Sequence, residues 1–103
     1  MKIEEITAAL DLAQAARQFL AAKEHEKQKK QAYIRARREW IWANGAQKMK
    51  WVEVMNDAGF RLATNRLYSD YEVARKQRYK AMRRMMTRYK KLTTLENTGM
   101  SVD

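Results

Sequence analysis

The run Gly59-Phe60-Arg61-Leu62-Ala63-Thr64-Asn65-Arg66-Leu67-Tyr68-Ser69-Asp70-Tyr71-Glu72 decides how this chain is read. It stands between a short apolar-periodic segment, 51–58, and a long basic one, 69–92. Two local signals predict a corner. Gly59 suits the left-handed conformation that commonly ends a helix. Ser69, with Glu72 three residues on, has the form of a capping box. There the serine oxygen accepts a backbone N–H and the glutamate reaches back to the cap's own N–H. The expected arrangement is a short helix over 51–58, a tight link over 59–68 and a long helix over 69–92. Beyond the cap, Arg75, Lys76, Arg78, Lys80, Arg83, Arg84, Arg88, Lys90 and Lys91 are opposed only by Asp70 and Glu72.

Working outward, composition agrees with an all-α chain. The 103 residues include no proline and three glycines, so helix breakers are scarce. The length allows one domain, or a small domain with an extension. A formal net charge of +10 points to polyanions or acidic protein surfaces as partners. A hydrophobic fraction of 46% with three tryptophans is too apolar for a solvated coil. The absence of cysteine excludes disulfides, thiol catalysis and a zinc finger, and is compatible with a reducing compartment. No apolar run approaches the ~20 residues of a membrane span. The start, Met1-Lys2-Ile3-Glu4-Glu5, is acidic where a secretory signal is basic. The expected location is cytoplasmic, with no membrane partner.

Upstream of the corner, Ile3, Ile6, Leu10, Ala13, Arg17 and Leu20 fall at alternating spacings of three and four, widened by Ala9, Ala16 and Phe19. This stripe packs on the rest of the domain or forms a homodimer seam through residues 3–20, since the spacing is that of a coiled coil. Residues 23–31 are polar all round and predict a solvent-crossing helix or a bend. Tyr33, Ala36 and Trp40 restore an apolar face, and Asn44-Gly45 is a good C-cap. A long helical arm over 3–43, bent or in two parts, is expected. In the second half, Trp51, Val54, Met55 and Ala58 repeat at helical spacing, and Tyr79, Met82, Met86 and Tyr89 form the seam of the basic helix. The expected core is Leu10, Phe19, Leu20, Trp40, Trp51, Met55, Phe60, Tyr79, Met82 and Met86. One helical domain over 1–95, a small antiparallel bundle with a helix-turn-helix-like unit over 51–92, is followed by a fraying tail over 96–103.

The run Met55-Asn56-Asp57-Ala58-Gly59-Phe60-Arg61, continued by Thr64-Asn65-Arg66-Leu67-Tyr68-Ser69 and by Val73, resembles the helix-turn-helix segment in the DNA-binding region of large serine recombinases and related phage and plasmid proteins. In those segments a Leu-Asn pair precedes a glycine, and an aromatic plus Ser/Thr opens the recognition helix before a buried valine. Met55 stands in for the leucine and Tyr68 for a tryptophan. Asn65 takes a turn-glycine position, being tolerant of positive φ. Leu62 and Leu67 depart from the usual threonine and proline. The resemblance covers roughly a quarter of the chain. It implies DNA binding, with Arg66, Arg75 and Lys76 near the mouth of the groove, and carries no catalysis.

Catalytic chemistry has little to stand on. His25, between Glu24 and Glu26, splays away from both around a helix axis, so the three do not converge on a metal. No glycine-rich phosphate loop is present, and Ser69 is accounted for by capping. A non-enzymatic nucleic-acid-binding protein is expected, with no cofactor. Its phosphate and base contacts are assigned to Arg35, Arg37, Arg38, Arg66, Tyr71, Arg75, Lys76, Arg78, Arg83 and Arg84. Trp42 and Tyr71 are expected to be exposed. The competing expectation is a small phage- or plasmid-type modulator that docks the same arginines on an acidic site of a host nucleic-acid-processing enzyme.

Overall fold

The computed structural model describes residues 2–100, and these fold into three α-helices: α1 (Ile3–Ala43), α2 (Trp51–Asn56) and α3 (Ala58–Met100). The all-α class expected from the sequence is what forms. Helix α1 is unbroken for 41 residues, so the two-part reading at the polar run 23–31 does not hold. That run contains no glycine or proline, and its charged residues are helix formers. The end of α1 is where Asn44-Gly45 places it. Gly45 takes φ +64°, its N–H donates to the Trp42 carbonyl, and the Ala46 N–H donates to the Ile41 carbonyl at 2.9 Å. This pair of bonds is a Schellman motif, and the Asn44 side-chain amide adds a bond to the Trp40 carbonyl.

The corner lies elsewhere than the sequence suggests. Asp57 alone separates α2 from α3, and residues 59–68 are helical. The Asp57 carboxylate accepts the Phe60 N–H at 3.1 Å, while the Asp57 carbonyl accepts the Arg61 N–H. Asp57 is therefore the N-cap of α3. Ser69 is a mid-helix residue, and Glu72 pairs with Arg75 at 3.2 Å instead of closing a capping box. Gly59 is helical with negative φ. A Cβ there would lie 3.1 Å from the Asp57 carboxylate and 3.7 Å from the Trp40 indole nitrogen, so close approach explains the glycine better than a left-handed turn. Arg61 completes the corner. It donates to the Met55 carbonyl, one of those left open where α2 ends, and to the Asn56 side-chain oxygen.

The chain divides into two compact units. In the first, residues 2–24 of the α1 end pack on residues 76–100 of α3. The two segments are antiparallel. Ala8, Leu12, Ala15, Phe19 and Ala22 form the least exposed stripe on α1, against Ala81, Met85, Arg88, Leu92 and Leu95 on α3. Both stripes alternate between three and four residues, the pattern of a coiled-coil seam. Ala8 and Ala15 are fully buried. The stripe expected to be core lies on the outside: Ile3, Leu10 and Leu20 are 81%, 66% and 61% exposed. Tyr79 and Met86 are also exposed, whereas Phe19 and Met82 are half-buried. A helix with one partner buries one stripe, and alanines at the contact let the partner come close, so the alanine-rich stripe is the one that packs.

The second unit, His25–Arg75, holds the aromatic core. Phe60 is buried and meets Trp40 and Trp51 edge-on at 5.3 and 5.8 Å. Val54 of α2 and Ala46 are buried, and Thr64 is buried with its hydroxyl on the Phe60 carbonyl. Trp40 is half-buried, while Trp51 and Met55 sit at the edge and keep 40% and 47% of their surface. Helix α3 continues to Met100, so the start of the expected tail is helical. The remainder of that tail, 101–103, lies outside the described residues.

Candidate nucleic-acid interface

Seven residues of α-helix make two turns and rise about 10.5 Å. Lys76, Arg83 and Lys90 are spaced by seven and therefore line up along α3, on the side away from its buried stripe Ala81-Met85-Arg88. Lys80 lies to one side of this row, with Arg84 and Lys91 close by. All six are exposed. Lys76, Lys80, Lys90 and Lys91 have no carboxylate within ion-pair distance among the described residues. Arg83 donates weakly to its own helix, at 3.5 Å from the Tyr79 carbonyl, and Arg84 donates to the Gln18 side chain at 3.3 Å. These six cations belong to the first unit.

The remaining site candidates are differently placed. In the first unit, Arg78 is half-buried, with its guanidinium 4.3 Å from the Tyr79 ring centre. In the second unit, Arg37 is half-buried between two rings, 4.1 Å from Trp51 and 5.3 Å from Tyr33. That geometry ties α2 to α1 by cation–π attraction. Arg35 and Arg38 are exposed and line a shallow depression of about 460 Å³ with Gln31 and Ile34. Arg66 is exposed, and Arg75 is engaged by Glu72. Tyr71 is half-buried and meets Tyr68 edge-on at 6.5 Å, contrary to the expectation that it is exposed. Trp42 is 73% exposed, as expected. Lys80, Lys90 and Lys91 were absent from the sequence-derived set. The seven-residue interval Lys76–Arg83–Lys90 is the signal that brings Lys90 in.

A cleft of about 300 Å³ in the second unit is walled by Tyr33, Phe60 and Tyr68, with Asn56, Arg61 and Asn65 at its polar edge. Arg61 is already committed to the end of α2. Among the described residues, no group of three His, Cys, Asp or Glu side chains is placed to hold a metal ion, and no helix is long and apolar enough to cross a membrane. Comparison of the chain with protein-family models, with curated proteins and with solved structures returns no match.

Proposed function

We propose that this chain is a non-enzymatic nucleic-acid-binding protein that lays the outer side of α3 along a phosphate backbone, with duplex DNA the favoured ligand. The observation that carries this reading is the exposed row Lys76, Arg83 and Lys90 with Lys80, Arg84 and Lys91 around it. The row is about 21 Å long. A duplex presents roughly a dozen phosphates over that length. The binding is backbone-directed, because a straight row of cations on one helix side reads charge rather than base edges.

Fluorescence anisotropy with a short duplex and a single strand, across a salt series, tests this. Combining Lys76→Gln, Arg83→Gln and Lys90→Gln should weaken duplex binding by tenfold or more. The slope of log K against log salt should fall by about 2.7, since each phosphate no longer neutralised removes about 0.9. An unchanged slope would remove α3 from the interface. No binding of either strand state by the parent chain would turn the same cations toward an acidic protein surface.

A further inference from the structure

The first unit carries a second surface that nucleic acid does not explain. On α1, Ile6, Ala9, Ala13, Ala16 and Leu20 follow at alternating spacings of three and four. On α3, Tyr79, Met82, Met86, Tyr89 and Thr93 do the same. Each line is centred about 100° round its helix from the buried stripe. Gln18 and Arg84 meet across one side of the antiparallel pair. In such a pair the positions flanking the seam meet like with like, so both lines lie on the opposite side and form one face. Ile6, Leu20, Tyr79, Met86 and Tyr89 are 43%, 61%, 42%, 46% and 54% exposed there. Neither line contains a charged residue, in a chain of which 33% is charged. In the second unit the corresponding positions meet α2: Arg37 lies under Trp51, and Tyr68 shares its cleft with Met55. In the first unit no described element covers them.

We propose that a second copy of this chain covers this face, giving a two-fold dimer in which two helix pairs stack as a four-helix unit. Shape selects the occupant. The α1 line is small at its centre (Ala9, Ala13, Ala16) and the α3 line is bulky (Tyr79, Met82, Met86, Tyr89). A two-fold axis parallel to the helices lays the bulky line of each copy on the alanine line of the other, so the face complements itself. Charge sets the rim. The face itself carries no cation, and the row Lys76, Arg83 and Lys90 borders it, about 40° round α3 from Tyr79 and Met86. Size agrees as well. The α1 segment is about 33 Å long, and two adjacent helices span about 20 Å, a footprint of roughly 650 Å² per copy. A standard interface takes about 800 Å² per partner.

Sedimentation equilibrium of the full chain, from micromolar to submillimolar concentration, reads the result. The expected mass rises from 12.2 kDa toward twice that value, and high salt favours the dimer by screening two chains of +10. Ala13→Glu with Met86→Glu should raise the dissociation constant at least tenfold while leaving helical circular dichroism unchanged. Lys76→Gln should leave self-association unweakened. If the double variant loses helix, a mixture of Ala13→Cys chains and Met86→Cys chains decides, since the parent has no cysteine. From an equal mixture, oxidation should then yield the mixed disulfide well above the half of all dimers that random pairing gives. A chain that stays at 12.2 kDa at submillimolar concentration in both salts overturns the proposal, as does a dimer indifferent to the double variant, or mixed and self-paired disulfides in statistical proportion.

Discussion

Replacing Asp57 by alanine removes the oxygen that accepts the Phe60 N–H at the start of α3. The expected loss is about 1 kcal/mol, measured as a shift in urea midpoint at constant m-value. Ser69→Ala, in mid-helix and exposed, should stay within about 0.5 kcal/mol of the parent. The contrast between the two variants locates the cap. A sequence scan for Ser/Thr followed by Glu finds Ser69. It passes over Asp57, whose third following residue is Phe60 and which caps through its own carboxylate alone. Gly45 was legible and Gly59 was not, for a related reason. A positive φ is a property of the local chain, whereas the room Gly59 leaves for Trp40 depends on a helix that comes earlier in the sequence.

At the level of the elements, periodicity identifies helices well and inner faces poorly. The start of α1 has two apolar lines almost opposite one another. One holds Ile3, Ile6, Leu10 and Leu20, and the other holds Ala8, Leu12, Ala15, Phe19 and Ala22. Side-chain size favours the first, and packing between two antiparallel helices favours the second. The decision rests on α3, which lies too far along the chain for local pattern to weigh. Ala15→Leu should therefore destabilise by about 1–3 kcal/mol through overpacking of the seam. Leu10→Ala should cost less than about 0.5 kcal/mol in the monomer, since its side chain is already 66% exposed. Chemical denaturation of both variants at low concentration checks the pair. The candidate site divides in the same way. The basic run was legible as composition, but its outer row depends on which stripe of α3 is buried.

For the whole molecule, the two proposed activities respond to salt in opposite directions. Added salt competes with phosphate contacts and lowers nucleic-acid affinity. It screens repulsion between two chains of +10 and favours self-association through the uncharged face. Parallel titrations of one preparation should show the two curves diverging as salt rises, and parallel curves would mean that one surface serves both events. A separate consequence follows from where the aromatic residues fall. Trp40, Trp42 and Trp51 all belong to the second unit, whereas the first contains tyrosines but no indole. Tryptophan emission is thus a native reporter of the corner alone, while far-ultraviolet dichroism sums both units. Followed together through a denaturant titration, the two signals resolve whether the helix ends fray before the aromatic corner opens, with no label added.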